Sequence, residues 1–152
     1  MKKILIASDH AGFNLKEKLK SYLEIQGLNV LDLGTHSKES CDYPVFAAVL
    51  ARKIAQGPYR RGILICKSGI GNSIVANRFP GVRAALCYNL RAARLSREHN
   101  DSNVLVLGAG FLNRRLAEKI TRVFLTTRFQ GGRHLRRLNK IKAIERELEG
   151  ER

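Results

Sequence analysis

The fold of this chain is decided by the stretch Gly62-Ile63-Leu64-Ile65-Cys66-Lys67-Ser68-Gly69-Ile70-Gly71-Asn72-Ser73. Its apolar residues, 63–66, predict a buried strand, and the following residues, 67–71, contain two glycines and predict a tight loop. Residues 74–76 then open a predicted helix. In α/β proteins this order of strand, glycine turn and helix forms anion sites, because free backbone N–H groups face outward at the carboxyl edge of the sheet.

A thiol lies at the entrance of this predicted anion site. Cys66 ends the strand and Ser68 follows two residues later. A thiol among backbone N–H donors tends toward the thiolate, so Cys66 is a candidate base or nucleophile. The alternative is a structural cysteine in a buried strand, because a free thiol also packs as a small hydrophobic group.

Two better-known phosphate-binding motifs do not fit this stretch. A P-loop requires a second glycine directly before Lys67-Ser68, where this chain has Cys66. A dinucleotide fingerprint requires a third glycine, and Ile74 occupies that position. The glycine loop therefore predicts an anion site without assigning a nucleotide to it.

Length and composition predict one domain, residues 1–152, with a packed core, since 44% of the residues are hydrophobic. Ser8-Asp9-His10 interrupts the apolar N-terminal run too early for a signal peptide, and no apolar run is long enough to span a membrane. Cys41, Cys66 and Cys87 lack metal-ligand spacing, and their odd number leaves one unpaired. Free thiols in the cytoplasm are the simplest interpretation.

The formal net charge of +15 is the most unusual global feature of the sequence. It indicates anionic partners, which include phosphorylated metabolites, nucleic acids and acidic surfaces. The alternative is a solvated basic surface without a specific partner. The chain lacks a recognised nucleic-acid motif, so a nucleic-acid partner is not the favoured prediction.

Strands and helices alternate along the chain, which predicts an α/β fold with a five-stranded parallel sheet covered on both faces. The predicted strands are 3–7, 29–33, 63–66, 82–87 and 104–107. Helices are predicted to begin near Phe13, Pro44, Ile74, Asn89 and Leu116. Ligands of such sheets bind at the carboxyl edge, where the loops after the strands converge.

A final basic helix is predicted at about 134–149, with an apolar stripe formed by Leu138, Ile141, Ile144 and Leu148. Few elements of the same subunit remain to cover it. The stripe is typical of a helix that docks on a second copy of the chain, but an exposed basic helix or one that contacts RNA fits the composition equally well.

The chain resembles the family of type B ribose-5-phosphate isomerases and galactose-6-phosphate isomerase subunits over nearly its whole length. The resemblance rests on several motifs in the same order: Ser8-Asp9-His10-Ala11-Gly12-Phe13, Asp42-Tyr43-Pro44, the stretch 62–66 with its glycine loop, Ala76-Asn77-Arg78, Ser96-Arg97-Glu98-His99-Asn100-Asp101 and Gly131-Gly132-Arg133-His134. It implies a Rossmann-like three-layer sandwich. It also implies homodimers or tetramers with shared active sites, in which the last helix packs on a second subunit.

The same resemblance implies a cytoplasmic enzyme of the pentose phosphate pathway. Its reaction interconverts ribose 5-phosphate and ribulose 5-phosphate through an enediolate, without a metal or cofactor. Cys66 matches the base that moves a proton between C1 and C2 of the open-chain sugar. The residues that match sugar binding or ring opening are Asp9, Tyr43, Ser68 and His99, and Asn100 matches a substrate hydroxyl contact.

The remaining matches concern charge on the substrate. His10, Arg133 and Arg137 match phosphate-binding residues. The loop whose amides hold the enediolate oxygen is matched by Gly69, Ile70, Gly71, Asn72 and Ser73. Such donors suit the reaction, because negative charge grows on the sugar oxygens as the enediolate forms.

The sequence departs from the family pattern at two positions, Lys67 and Gly110. The family usually has glycine directly after the catalytic cysteine, and arginine at the third position of the Gly108-Ala109-Gly110 turn, where it helps to bind phosphate. We expect Lys67 either to replace that arginine in part or to lower the pKa of Cys66; the alternative is that it points into solvent. Isomerisation of a six-carbon 6-phosphate, such as allose or galactose 6-phosphate, and polyanion binding on the same scaffold remain alternative functions.

Overall fold

A computed structural model describes residues 3–152 of the chain, and within them strands and helices alternate as predicted. The strands are β1 (Ile4–Ser8), β2 (Val30–Asp32), β3 (Gly62–Cys66), β4 (Ala84–Leu86) and β5 (Val104–Gly108). The helices are α1 (Phe13–Ile25), α2 (Tyr43–Gln56), α3 (Ile70–Ala76), α4 (Leu90–Glu98), α5 (Arg114–Thr126) and α6 (Arg133–Gly150).

The strands form one five-stranded parallel sheet, as the alternating pattern predicted, and the structure gives their order as β2-β1-β3-β5-β4. The three central strands are buried along their whole length, which explains their unbroken apolar sequences. From β1 the chain passes to β2 on one side and later to β3 on the other. The carboxyl ends of β1 and β3 therefore flank the position at which α/β sheets bind ligands.

Helices cover both faces of this sheet, which confirms the three-layer arrangement. Helices α1, α4 and α5 pack on one face, where Leu19, Ile120 and Phe124 are fully buried. Helices α2 and α3 pack on the other face, where Leu50 and Ala76 are fully buried. Helix α6 contributes two buried side chains, His134 and Leu138, and belongs to neither apolar cluster.

The predicted boundaries differ from the structure mainly around β3 and β4. Helix α3 begins at Ile70, so the prediction that it opens at Ile74 was wrong. The physical reason is Gly69, whose φ of 83° reverses the chain in one residue and makes a longer loop unnecessary. Strand β4 is confined to Ala84–Leu86 instead of 82–87, although Val82 and Cys87 on either side are buried.

Two sequence signals for helix starts are confirmed. Pro44 lies in the first turn of α2, where its missing N–H costs no helical hydrogen bond. Asn89 caps α4, since its side chain accepts a hydrogen bond from the Ala92 N–H at 2.8 Å.

A buried ion pair supports the loop that follows β2. The ammonium group of Lys16 on α1 is fully buried and lies 2.6 Å from Asp32 Oδ2 and 3.0 Å from Glu17 Oε1. The other oxygen of Asp32 accepts a hydrogen bond from the Gly34 N–H at 2.9 Å. The Gly34 carbonyl in turn accepts from the Ser8 N–H at 2.7 Å, which connects this network to the end of β1.

We predict that Asp32→Asn destabilises the chain by about 3 kcal/mol, because it leaves the buried Lys16 ammonium without its closest partner. Burial disfavours the Asp32 carboxylate, but the bonds from Lys16, the Gly34 N–H and Lys20 outweigh this and lower its pKa. The stability that Asp32 supplies is therefore present above its unfolded-state pKa and is lost as the pH falls through its lowered folded-state pKa.

Urea denaturation over an acidic pH series measures this effect. The control is Lys20→Gln, because the Lys20 side chain is partly exposed and its pair with Asp32 should contribute less than about 1 kcal/mol. Equal losses in the two variants, or an unchanged pH dependence in Asp32→Asn, would contradict the assigned role of the buried pair.

Candidate active site

An open cleft of about 410 Å³ lies where the loops after β1 and β3 meet helices α2 and α3. This volume is in the range of small-molecule sites. Its lining contains seven of the residues predicted from the sequence together with Ile74: Asp9, Tyr43, Cys66, Lys67, Ser68, Ile70 and Gly71.

The Cys66 thiol is buried at the base of this cleft, at the last position of β3. Its sulfur accepts a hydrogen bond from the Gly69 N–H at 3.2 Å. Burial raises the pKa of the thiol above its ordinary value, and the N–H groups of Asn72 and Gly69 offset this only in part. The nearby Asp9 carboxylate raises the pKa further. The prediction that Cys66 tends toward the thiolate is therefore wrong for the chain without substrate, because burial raises the pKa by more than the backbone N–H donors lower it.

The first turn of α3 provides the backbone donors of the cleft, and several of them already have acceptors. The Ser73 N–H donates to the Gly69 carbonyl at 3.0 Å, and the Ile70 N–H donates to Ser68 Oγ at 3.2 Å. The Asn72 N–H faces the Cys66 sulfur. Within residues 3–152 the Gly71 N–H has no acceptor. Of the five predicted donors, the Gly71 N–H is thus the one without an acceptor among residues 3–152, and it is the donor that this conformation offers to a ligand.

Asp9 and Tyr43 both line the cleft. The Asp9 side chain is buried, and its Oδ1 accepts a hydrogen bond from the Gly12 N–H at 3.0 Å, which leaves Oδ2 available. Tyr43, the first residue of α2, packs its ring against Gly71, where a Cβ would lie 2.8 Å from the tyrosine hydroxyl. A side chain at position 71 would therefore displace the Tyr43 ring from the cleft.

His10 lies beside the cleft and does not line it. Its Nδ1 accepts a hydrogen bond from the Cys41 N–H at 3.2 Å, and the Cys41 thiol lies 3.9 Å from the same atom. Because Nδ1 accepts, the proton of the neutral ring sits on Nε2, which is thereby kept as a donor. The sequence had indicated only a structural role for Cys41.

Tyr88 is a site residue that the sequence interpretation missed. Its hydroxyl donates to the Ser68 carbonyl at 2.8 Å and anchors the loop after Cys66. The Tyr88 ring also packs against Phe111 at a centroid distance of 5.5 Å. The available signal was its position directly after β4, at the same sheet edge as the other site loops.

Four predicted site residues form a second group that does not line the Cys66 cleft: His99, Asn100, Arg133 and Arg137. His99 at the end of α4 stacks on the buried His134 of α6, with ring centroids 4.2 Å apart. Burial and the neighbouring His99, Arg133 and Arg137 lower the pKa of His134. The two arginines are exposed on the first turns of α6 and form no ion pair within residues 3–152.

Two further features of the described residues bear on the class of site. Within residues 3–152, no three His, Cys, Asp or Glu side chains are grouped closely enough to hold a metal ion. In the same range, none of the helices is long and apolar enough to cross a membrane.

Comparison with known proteins identifies the family of this site. The family model described as Ribose/Galactose Isomerase matches residues 4–141, which include the Cys66 cleft, His99, Asn100 and the first half of helix α6. The chain belongs to the ribose/galactose isomerase family.

Members of the ribose/galactose isomerase family resemble the chain over nearly its whole length. Ribose-5-phosphate isomerase B of Escherichia coli (strain K12) is 45% identical over 145 residues, which cover 95% of this chain and 97% of that protein. The structure of Clostridium thermocellum ribose-5-phosphate isomerase B has a TM-score of 0.94 at 48% identity, and the match covers 96% of this chain and 99% of that one. Mycoplasma genitalium ribose-5-phosphate isomerase B, solved with bound ribulose-5-phosphate, has a TM-score of 0.92 at 41% identity, with 95% and 97% covered.

Membership in the ribose/galactose isomerase family confirms the resemblance noted from the motifs and the Rossmann-like α/β fold. The roles of individual residues remain predictions, because the geometry shows where they lie and not what they bind. Within this chain Asp9, Tyr43, Cys66 and Ser68 share one cleft, whereas His99 and the two arginines lie outside it.

We predict that Cys66 in the substrate-free chain reacts slowly with a thiol-alkylating reagent at neutral pH, because its raised pKa keeps the thiol protonated. The reaction rate should rise only at a pH above the range of an ordinary cysteine. Pseudo-first-order alkylation across a pH series measures this in a Cys41→Ala, Cys87→Ala background, in which Cys66 is the remaining thiol. Rapid alkylation at mildly acidic pH would show that the backbone donors outweigh burial.

Proposed function

We propose that the chain interconverts ribose 5-phosphate and ribulose 5-phosphate through an enediolate, with Cys66 as the base. The observation that carries this proposal is the Cys66 thiol at the carboxyl end of β3, beside the Gly71 and Asn72 N–H groups. Family membership and the ribulose-5-phosphate-bound Mycoplasma genitalium relative support the substrate. Free thiols and the absence of a membrane-crossing helix in residues 3–152 fit our proposal of a cytoplasmic enzyme.

The reaction requires a base on one face of the sugar carbon and donors for the oxygen that gains charge. The Cys66 thiolate would remove the proton from C1 or C2 of the open-chain sugar and deliver it to the other of these two carbons. The Gly71 N–H would stabilise the negative oxygen of the enediolate, while the Asn72 N–H faces the Cys66 sulfur. In well-studied oxyanion holes, one such donor lowers the barrier by about 3 kcal/mol.

We further propose that a second copy of the chain completes the site. His99 is predicted for sugar binding or ring opening, Asn100 for a substrate hydroxyl contact, and Arg133 and Arg137 for phosphate binding, but none of the four lines the cleft of its own chain. Helix α6, which bears the arginines, also exposes the apolar side chains Leu135, Ile141, Ile144 and Leu148. An exposed apolar face beside the Arg133 and Arg137 side chains suits a contact with a second chain. In the resulting shared site, one copy supplies Cys66 and the other supplies His99.

Isomerisation of a six-carbon 6-phosphate is the second candidate function. The matching family includes galactose as well as ribose isomerases, and the cleft is open to solvent on the side of Ile70 and Ile74, both of which are exposed. One more carbon in the substrate therefore meets no wall formed by this chain. Turnover of ribose 5-phosphate compared with allose and galactose 6-phosphates would separate the two candidates.

We predict that Cys66→Ala abolishes exchange of the C2 proton with solvent while phosphate affinity is nearly retained, because the change removes the base and no phosphate contact. Proton exchange followed by NMR, and binding of inorganic phosphate followed by calorimetry, measure the two properties. The controls are Cys41→Ala and Cys87→Ala, which should keep most of the activity. Proton exchange at the wild-type rate in Cys66→Ala would contradict the proposed base.

The shared site predicts complementation between two inactive variants, Cys66→Ala and His99→Ala. In a mixed dimer one site combines the intact Cys66 of one chain with the intact His99 of the other. An equal mixture, unfolded and refolded together, should recover about a quarter of the wild-type activity, since half of the dimers are mixed and each has one complete site.

The control for this experiment is each variant refolded alone, which should stay inactive. If both residues served a site within one chain, no subunit in the mixture would hold a complete set and no activity would return. Sedimentation of the wild-type chain as a monomer would also contradict the proposal.

A further inference from the structure

The side chain of Lys67 is packed over Gly110, on the β5 side of the Cys66 cleft. A Cβ at position 110 would lie 3.2 Å from Lys67 Cδ and 3.1 Å from Lys67 Cε. The two backbones are also joined, because the Gly110 N–H donates to the Lys67 carbonyl at 2.8 Å. The Lys67 carbonyl oxygen would lie 3.0 Å from the same Cβ, so both the backbone and the stem of Lys67 crowd a side chain at position 110.

This lysine places an uncommitted positive charge at the cleft. Lys67 lines the cleft beside Cys66, and its side chain is exposed. It forms no ion pair or side-chain hydrogen bond with any residue from 3 to 152. The carboxylate of the same cleft, Asp9, uses one oxygen to bind the Gly12 N–H instead.

We propose that Lys67 binds the phosphate group of the substrate and that Gly110 positions it by leaving room for its stem. The inference rests on the proposed function, since it assumes a sugar phosphate in the Cys66 cleft. The phosphate is the permanent negative charge of such a substrate. The transient charge of the enediolate already has a donor in the Gly71 N–H group, so the Lys67 ammonium group is available for the phosphate.

The packing over Gly110 gives this assignment its specificity. A lysine whose side chain moves freely loses conformational entropy when its ammonium group is fixed. A stem that already lies against the 108–110 loop has lost part of this freedom before the substrate arrives, so less is lost on binding. Lysine binds phosphate as a point charge, which tolerates small differences in substrate position.

The test compares Lys67→Gln with Lys67→Arg and with the control Lys119→Gln, which removes the same charge from the exposed surface of α5. The probes are inorganic phosphate and ribitol, a neutral five-carbon polyol, both measured by calorimetry and as competitive inhibitors. Lys67→Gln should weaken phosphate binding about tenfold and raise KM by a similar factor, with kcat and ribitol binding unchanged. Lys67→Arg should retain most of the phosphate affinity, and Lys119→Gln should have no effect.

Gly110→Ala tests the positioning role without removing the charge. Its methyl group should displace the Lys67 stem and weaken phosphate binding severalfold in the wild-type background. In a Lys67→Ala background the stem is absent and only the carbonyl oxygen of position 67, 3.0 Å from the added Cβ, is crowded, so the same change should have a smaller effect on phosphate binding. The double-mutant cycle therefore predicts strong non-additivity between positions 67 and 110.

Three results would overturn the inference while leaving the proposed isomerase intact. They are unchanged phosphate affinity in Lys67→Gln, equal loss of phosphate and ribitol binding, and additive effects of Gly110→Ala and Lys67→Ala. A change in the pH profile of kcat with constant phosphate affinity would assign Lys67 to the thiol and would also overturn it. A wild-type chain that binds phosphate through Lys67 but isomerises no sugar phosphate would instead contradict the proposed function alone.

Discussion

The close backbone contact between the loops that follow β3 and β5 is the constraint on which the site depends. The Ala109 and Gly110 N–H groups donate to the carbonyls of Cys66 and Lys67, each at 2.8 Å. Gly108 allows this approach, since a Cβ there would lie 2.7 Å from the Ser68 carbonyl carbon. The Cys66 loop is therefore held by a neighbouring strand, and its donors reach the cleft already oriented.

The sequence was sufficient for the architecture and for the prediction that site residues lie at the carboxyl edge of the sheet. Apolar runs such as 63–66 and 104–107 predict central strands, and parallel strands bring the residues after them to one edge. The start of α3 could not be predicted, because it depends on the φ of Gly69. Tyr88, the Cys41 N–H and the Lys67 stem act through partners distant in sequence, and local patterns do not encode such contacts. The upward shift of the Cys66 pKa was not predicted for a similar reason, since the burial of the thiol depends on the whole fold.

The raised pKa of Cys66 has two opposite effects on a base that removes a proton from carbon. Fewer molecules hold the thiolate at neutral pH, but each thiolate is a stronger base once it forms. The Gly69 and Asn72 N–H groups limit the first effect, because they stabilise the anion without adding a mobile counter-ion. Lys67, exposed at the cleft entrance, adds positive charge in the same region without a direct bond to the sulfur.

The placement of the second group of residues follows from how α6 is attached to the fold. The Gln130 N–H donates to the Glu98 carbonyl at 3.1 Å, and Arg97 Nε donates to the Thr127 carbonyl at 3.4 Å. These bonds fix the segment before α6 against the end of α4, so His99 and the α6 arginines move as one unit. Turning α6 alone toward the Cys66 cleft of its own chain would break these two bonds and the stacked His99–His134 pair. A two-fold contact can use it unchanged, because each chain then offers a preassembled half-site to the cleft of the other.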